Sequence, residues 1–463
     1  MSTEQIVSPQ LDYSQKVFNH PSPLFVKISP QGTNTVAGSV SSVSGPSTLQ
    51  IPSKVVNLAR SYLTFDVEIA APGAGHTALL SGNLANFINR ITISTVGSNI
   101  ILADISNVGN YLEAVGAPST KFVDLMDKAS STTLLKTSLA LAQVAPCEDL
   151  AKVNAATNPT GILSGSLTVG GDDAGAVYTG VKKLYTGTGN AANFISVRLP
   201  LNTFKHSIFS VDKDMYFAGE PLSIDVYWEA GSKFIFGATD ATVAAPNSAT
   251  PTIVPASGHT ISNITLNACC EQNIAITSGI VDRVMKQGLT LPIPVVWSSK
   301  QAITTSTSHN IVLNISKAMG NKCLAIFWSP YHSVESLNTC KSHTVTQLTT
   351  YNTLLNQVPI LTNNLINTVT GEHFFYNKDS LDKSAIQSII AYNNSFCHID
   401  NFSGMGLPEL VENETVYNGI DLAQETQQWQ LNATYNPATS INHYVFVVCQ
   451  KQLTIAPNSI MLS

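Results

Sequence analysis

The same order of strand-forming segments occurs twice along this chain, once in each half. A proline-containing apolar run opens each half, at residues 23–28 and again at residues 292–297. Each run leads through a Ser/Thr-rich stretch into an alternating segment. The halves then end in β-prone segments, around Trp228 in the first and from Trp429 to Cys449 in the second. The halves share this pattern without sharing residue identities. Such a repeat predicts two similar β units joined end to end.

Length and composition agree with two large β units. The chain has 463 residues, of which 44% are hydrophobic, so two sizeable cores can form. Charged residues make up only 12%, about half of the usual share of roughly 25%. Ser, Thr and Asn supply the polarity instead. This composition favours sheets in close protein–protein contact over a freely soluble enzyme with a charged surface.

Net charge and cysteine content exclude several classes of protein. The net charge is −6, and no cluster of cations occurs beyond Lys182 and Lys183, so direct nucleic-acid binding is not expected. Seven cysteines without a CxxC motif predict a reducing compartment and no disulfide framework. The polar N-terminus predicts no signal peptide, and no apolar stretch is long enough to predict a membrane span.

Alternation of apolar and polar residues predicts which strand faces are buried. Residues 62–69 and 222–228 alternate strictly, so each is expected to form a strand with one buried face, and Trp228 is expected to lie in the core. Residues 444–449 are apolar on both faces. That pattern is typical of a strand buried inside a sandwich or at an interface.

The domain organisation follows from these segments. We expect an N-terminal arm at residues 1–20, a first β domain at 21–282 and a second at 283–463. Two stretches rich in small residues, 128–192 and 238–260, are expected to be insertion loops on the surface of the first domain. Other predicted boundaries are a strand at 261–276, a linker at 283–288, and second-half strands at 291–297, 310–315, 428–435 and 444–455.

Catalytic and metal-binding signatures are weak. Ser210 and Lys213, like Ser380 and Lys383, have the spacing of one β-lactamase motif but lack its companion motifs. Carboxylates that could hold a hard cation occur at Asp212, Asp214 and residues 171–173, and a Cys–His pair occurs at Cys397 and His398. None of these has a full ligand set or a metal-ligand spacing. The sequence therefore predicts no catalytic, cofactor-binding or metal-binding residue, and it predicts that the protein is not an enzyme.

Three segments resemble a known family. Residues 199–229 run from Leu-Pro-Leu through an aromatic-rich stretch to a Pro-Leu pair and an alternating strand. Residues 429–455 resemble the family's closing strands, and residues 351–360 contain a Gln-Val-Pro-Ile motif. These segments resemble the double jelly-roll major capsid proteins of double-stranded DNA viruses, the lineage of nucleocytoplasmic large DNA viruses, virophages and polinton-like viruses. The order of elements matches over nearly the whole chain.

The resemblance implies an all-β fold of two consecutive eight-stranded antiparallel jelly rolls, with long surface loops and a few short helices. It also implies a structural protein of the virion, assembled inside the host cell. Homotrimers would form pseudo-hexameric capsomers that tile an icosahedral shell. The implied partners are neighbouring capsomers and penton and minor capsid proteins. No cofactor and no sequence-specific nucleic acid is implied, and membrane contact is left open.

A second interpretation belongs to another functional class. Jelly rolls also occur in viral receptor-binding and carbohydrate-binding proteins, such as spikes and lectins, so the fold alone does not decide between them. A binding module of that kind would carry exposed aromatic residues on its loops. The stretches 128–192 and 238–260 contain Tyr178 and Tyr185 but no Trp, which favours the capsid interpretation.

Overall fold

The computed structural model describes most of the predicted β regions. Its description covers residues 21–39, 43–69, 76–81, 87–116, 118–119, 181–185, 193–231, 235–239, 258–318, 320–332, 348–361, 366–367, 372, 376, 397–407, 410, 418–422, 426–457 and 459–463. The arm at 1–20, nearly all of the stretch 128–192 and the centre of the stretch 238–260 lie outside the described residues. The predicted surface placement of these loops therefore stays a prediction.

The described part of the first half forms two main antiparallel sheets and one small sheet. Its strands are β1 (Pro23–Ile28), β2 (Thr35–Gly38), β3 (Ser47–Ile51), β4 (Val56–Ile69), β5 (His76–Ser81), β6 (Ile88–Thr95), β7 (Ile101–Ser106), β8 (Val181–Tyr185), β9 (Asn193–Pro200), β10 (Leu222–Trp228), β11 (Ile235–Thr239) and β12 (His259–Glu271). One main sheet has the order β1-β12-β4-β9, with β2 also on β12. The other has the order β3-β10-β6-β7, and the small sheet has the order β11-β5-β8.

Aromatic side chains join the two main sheets of the first half. Phe65 of β4 contacts Trp228 of β10 with ring centroids 4.9 Å apart, and Phe87 lies on the other side of Phe65 at 6.1 Å. The indole N–H of Trp228 donates to Ser47 Oγ at 2.9 Å, which satisfies its one polar group. Strand β10 alternates between buried and half-buried residues along its whole length. The predicted burial of Trp228 is confirmed.

Short helices connect the sheets. Helix α1 (Val108–Tyr111) continues into a π turn at Leu112–Gly116, and helix α2 (Ile274–Gln287) follows β12. The predicted strand at 261–276 is confirmed as far as Glu271, where β12 ends, but its last residues are wrong because they belong to α2. The predicted linker at 283–288 is wrong, because α2 extends to Gln287. Asn273 caps α2 by accepting from the Ala275 amide, and Gly288 adopts a positive φ at its end.

In the described residues, the second half contains one extended nine-stranded sheet. Its strands are β13 (Leu289–Asn314), β14 (Lys322–His332), β15 (Leu348–Leu355), β16 (Val358–Pro359), β17 (Ile366–Asn367), β18 (His398–Asn401), β19 (Ile420–Asp421), β20 (Gln428–Ala456) and β21 (Ser459–Leu462). The prediction of separate strands at 291–297 and 310–315, and at 428–435 and 444–455, is wrong. Each pair is one long strand, because β13 and β20 pair along almost their entire lengths.

The long ribbon of β13 and β20 belongs to both layers of a sandwich. The first part of β20 pairs with β15, and its later part pairs with β14. The pairing of β13 with β20 shifts register near Ser306, between these two parts. Strands β14 and β15 then face each other across a core, where Trp328 and Tyr351 have ring centroids 5.1 Å apart. The ribbon therefore supplies strands to both layers.

The two halves share one feature of strand pairing. In the first half the first strand, β1, pairs antiparallel with the last strand, β12. In the second half the first strand, β13, pairs antiparallel with the long closing strand, β20. Both halves therefore bring their beginning and end together in one sheet.

The strand 444–449 separates two cores. Val445, Val447 and Cys449 pack in the core of the second half, whereas Tyr444, Phe446 and Val448 belong to a core that continues into the first half. At that junction Phe446 contacts Tyr111 at 5.8 Å between ring centroids. The prediction that both faces of this strand are buried is confirmed, and the halves contact each other through a continuous apolar core.

Candidate assembly surface and the polar network beneath it

An uncharged sheet surface lies on the outer side of the second half. It consists of the outward-facing residues of three neighbouring strand segments, 308–314 of β13, 428–434 of β20 and 350–356, which is mostly β15. We call it the amide face. Alternate residues of the same segments, such as Leu313, Trp429 and Tyr351, point inward and are buried. The outward positions are half-buried or exposed.

Strand register places the amide-face residues in rows across the three strands. Asn352, Asn432 and Asn310 lie side by side in one row. The neighbouring rows are Leu354–Gln430–Val312 on one side and Thr350–Thr434–Ser308 on the other, and Asn356, Gln428 and Asn314 extend the surface further. Amide and hydroxyl groups can both donate and accept hydrogen bonds. The rows therefore present a mixed pattern of donors and acceptors with a small apolar strip.

The absence of charge extends beyond the outward positions. No Asp, Glu, Lys or Arg occurs in residues 301–316, 348–361 or 426–450. An apolar side chain is also left open at this surface, since Val312 is 53% exposed. A solvated protein surface normally interleaves charges of both signs. In its lack of charge this surface matches the core of a protein–protein interface, from which charged residues are depleted.

A buried hydrogen-bond network lies directly beneath the amide face. Asp400 of β18 accepts from the indole N–H of Trp429 at 2.8 Å and from Thr353 Oγ1 at 3.0 Å. His398 Nε2 lies 2.9 Å from the same carboxyl, and His398 Nδ1 lies 2.8 Å from the hydroxyl of Tyr351. The network thus joins β15, β18 and β20 through side chains.

The residues of this network resemble a nucleophile–base–acid set, but they are sealed from solvent. Tyr351 is 0% exposed, His398 1% and Asp400 3%. Burial raises the pKa of the Tyr351 hydroxyl well above its ordinary value, which makes it a poorer nucleophile. No substrate can approach a hydroxyl in this position. The arrangement therefore orients three strands beneath the amide face and offers no access for chemistry.

A second buried network is a relay with fixed proton positions. The indole N–H of Trp328 donates to His443 Nδ1 at 3.0 Å, so that nitrogen carries no proton. Neutral His443 then donates from Nε2 to His309 Nδ1 at 2.8 Å, and His309 Nε2 donates to the Ser306 carbonyl at 3.2 Å. Burial lowers the pKa of His443 to about 3 and also lowers the pKa of His309. Both imidazoles are therefore neutral at pH 7.

The outer face of the four-stranded sheet in the first half is charged. Arg90 forms a bidentate pair with Asp104 at 2.7 and 2.6 Å, and its guanidinium lies over the ring of Tyr227 at 5.4 Å. Asp225 accepts from Thr48 Oγ1 at 2.6 Å. Asp225 and Asp104 lie in one cross-strand row with Thr48 and Thr92. Both sheets therefore have an outward-facing cross-strand row of polar side chains. The row on this sheet contains carboxylates, whereas the row on the amide face contains asparagines.

The residues of the weak motifs that the structure describes make ordinary structural contacts. Asp212 pairs with Arg60 at 2.9 Å and accepts from Asn57 at 2.8 Å. Ser210 accepts from the Ser207 amide in a short 3₁₀ turn. Cys397 donates to the carbonyl of Ala114 at 3.4 Å, and burial raises its thiol pKa. Residues 171–173, 380 and 383 lie outside the described residues.

The described residues hold neither a metal-binding cluster nor a membrane-spanning helix. No group of three or more His, Cys, Asp or Glu side chains there could hold a metal ion. No helix in the same residues has the length and apolarity needed to cross a membrane.

Sequence reasoning missed both buried networks and the amide face. The networks join residues far apart in the chain, and no local spacing signals them. The amide face did leave a signal in the long stretches without charge, which strand register converts into one surface.

Comparison with solved structures shows the fold. A chain in the cryo-EM structure of the Sputnik virophage is 11% identical and aligns with 100% of this chain and 93% of that chain, with a TM-score of 0.54. The Faustovirus major capsid protein is 10% identical and aligns with 96% of this chain and 92% of that chain, with a TM-score of 0.51. No protein-family profile and no curated protein sequence matches the chain. The chain therefore has the all-β, double jelly-roll fold of viral major capsid proteins.

Proposed function

We propose that this chain is a major capsid protein whose trimers form pseudo-hexameric capsomers of an icosahedral virus shell. The observation that carries the proposal is the fold. Both halves of the chain contribute to it, and it aligns over 96% of the chain with the Faustovirus major capsid protein. The amide face adds support, because a charge-free sheet surface suits a protein that is packed among other proteins.

The repeated fold explains how such a shell would be built. Two similar β units per chain give six similar blocks in a trimer, so one gene product can fill a hexagonal lattice. The continuous core between the halves, including the contact between Tyr111 and Phe446, holds the two blocks in a fixed relation. We place the domains at residues 21–282 and 283–463, a division that falls within helix α2 (Ile274–Gln287).

The proposal assigns the chain a structural role and no enzymatic one. Its place is the virion shell, assembled inside the host cell. Its partners are two further copies in the trimer, neighbouring capsomers, and penton and minor capsid proteins. The sealed position of Tyr351, His398 and Asp400 supports this role, because the cluster most like a catalytic set cannot receive a substrate.

The alternative of a carbohydrate- or receptor-binding sandwich gains no support from the described residues. Among aromatic side chains whose burial is described, Phe25 alone is exposed. The ring of Phe25 packs against the ring of Tyr62 with centroids 5.2 Å apart, and the guanidinium of Arg198 lies over the ring of Tyr62. A sugar-binding surface would need several open aromatic rings.

Light scattering and electron microscopy of the purified chain test the proposal. We expect a solution mass of three copies of the 49.4 kDa chain, and hexagonally packed particles under assembly conditions. A stable monomer that forms no particles at any salt concentration or pH would contradict the proposal and place the binding-module interpretation first.

Deletion of residues 1–20 tests the role of the arm. We expect the trimer to form and particle assembly to fail, because a polar arm with few apolar anchors gains its contacts only from neighbours in the shell. Removal of the C-terminal residues 459–463 is not a suitable control, because β21 (Ser459–Leu462) pairs with β20. A scrambled arm of the same composition is the matched control. Normal particles from the deleted chain would contradict this role.

A further inference from the structure

We infer that the amide face is a contact surface for a second copy of this chain. The inference rests on the proposed function and specifies which surface of the second half makes the contact. The face is the outward side of segments 308–314, 350–356 and 428–434, whose rows are set by the pairing of β13 and β15 with β20. The fold alone does not identify which surface of the chain contacts another copy.

The size of the face shows how much of a contact it can make. Seven residues per strand at ~3.4 Å each, and three strands at ~4.8 Å spacing, give a surface of ~340 Å². A stable interface buries about 800 Å² on each partner. The amide face thus supplies less than half of a standard interface. It is the centre of a contact that continues onto neighbouring surface, such as the charge-free corner at residues 301–307 and 436–440.

The chemistry of the face selects among partners. A nucleic acid would require cations, and these segments contain none. A membrane surface would require a broad apolar or basic patch, whereas Val312 and Leu354 make only a narrow apolar strip among amides. A carbohydrate would stack on aromatic rings, but Tyr351, Trp429 and Tyr435 all point inward and are buried. These three partner classes do not fit.

A second copy does fit this chemistry. Amides and hydroxyls have both donors and acceptors, so one such surface can pair with another uncharged surface without a matching set of opposite charges. The chain itself supplies such surfaces, since only 12% of its residues are charged and the corner beside the face has none. Neutral polar groups also cost less to remove from water than ions do.

An isosteric charge at the centre of the face tests the inference. Asn432→Asp adds a negative charge between Asn310 and Asn352 without changing side-chain shape, and the free chain keeps it in contact with water. We expect the yield of assembled trimers or particles to fall about 100-fold, because an unpaired charge would be buried in the contact. Loss of the trimer would place the face within the capsomer, and loss of particles alone would place it between capsomers.

Two controls separate charge from other effects. Asn89→Asp puts the same change at an exposed position of β6, in the charged sheet of the first half, and we expect assembly within about twofold of the original. Asn432→Thr keeps the position neutral and strand-compatible, and we expect assembly to persist. Assembly of Asn432→Asp at the original yield would overturn the inference.

A second pair of variants keeps the test decisive if Asn432→Asp does not fold. Val312→Lys and Ile101→Lys change β-branched residues of nearly equal exposure, 53% and 54%. We expect only Val312→Lys to block assembly, and equal assembly by both would overturn the inference. Failure of the original chain to assemble at all would instead contradict the proposed function, so the two failures are distinguishable.

Discussion

The two halves of this chain place charge on opposite sides of comparable sheets. In the first half, Arg90 and Asp104 pair on the outer face, and the core beneath is built from Phe65, Phe87 and Trp228. In the second half, the outer amide face has no charged residue, while the ionisable pair of His398 and Asp400 is buried beneath it. The first half therefore has charged groups on its outer sheet face and an apolar core beneath them. The second half has an uncharged outer face and a polar network beneath it.

The difference teaches what each surface is suited for. An exposed pair such as Arg90–Asp104 adds little stability, but it keeps a surface solvated. A buried network must lose its hydration when the chain folds, which costs free energy. In return, its hydrogen bonds fix β15, β18 and β20 relative to one another. The second half thus presents a firmly positioned, charge-free surface, which is the combination that a repeated protein–protein contact needs.

Removal of one carboxyl from each half should give the largest contrast. Asp400→Ala leaves the donors of Trp429 and Thr353 unpaired in the core and should lower the free energy of unfolding by about 3–5 kcal/mol. Asp104→Ala removes an exposed partner of Arg90 and should cost at most about 1 kcal/mol. Urea unfolding of both variants measures the difference. Equal costs would mean that the buried network does not hold the second half together.

Replacement of one tryptophan in each core should give a smaller contrast. Trp429→Phe and Trp228→Phe remove the same volume and the same N–H donor. The first leaves a buried carboxyl oxygen of Asp400 without its partner, and the second leaves the Ser47 hydroxyl. We expect Trp429→Phe to lower the free energy of unfolding by about 1 kcal/mol more than Trp228→Phe does. The reason is that a buried carboxyl oxygen without a donor costs more than a buried hydroxyl without one. Thermal unfolding of the two variants checks this, and an equal or reversed order would argue against the network.

The pH dependence of unfolding tests the second buried network, which contains His443 and His309. The pKa of His443 is lowered by burial to about 3 in the folded chain, against about 6.5 when unfolded. Between those values the unfolded chain binds one more proton, so stability is full above pH 6.5 and falls as the pH drops. The slope from this one group is about 1.4 kcal/mol per pH unit at most.

A variant isolates this contribution from that of other buried histidines. His443→Asn keeps an acceptor near Trp328 and removes the titrating group. Denaturant unfolding at pH 7 and pH 5 should therefore show a shallower loss of stability for the variant than for the original chain. Identical slopes would mean that His443 titrates normally and that the relay with His309 does not form.

The local sequence pattern correctly predicted the strands that have one solvent-exposed face. It failed where pairing with a distant segment determines how far a strand extends. Residues 222–228 alternate in the sequence and alternate in burial, because one sheet face sets both. The continuity of β13 through two prolines and a Ser/Thr-rich stretch was missed, because its partner β20 supplies the pairing from more than 100 residues away. Helix α2 was missed for a different reason, since only Val284 of its residues is buried and its apolar pattern is weak.

The polar interior was beyond prediction from sequence for a similar reason. His309 and His443 are ordinary residues of separate strand segments until the ribbon brings them within 2.8 Å. The amide face is intermediate between these cases. Its lack of charge is visible in the sequence, but its row of three asparagines exists only once register is known.

Cryo-EM of particles assembled from this chain tests the central claim most directly. The account predicts a hexagonal lattice of capsomers, each with three copies of the chain and a six-sided outline made by two jelly rolls per copy. It also predicts that residues 308–314, 350–356 and 428–434 are covered by another copy. A shell whose capsomers hold any number of copies other than three, or a chain that stays monomeric and forms no lattice, would contradict it.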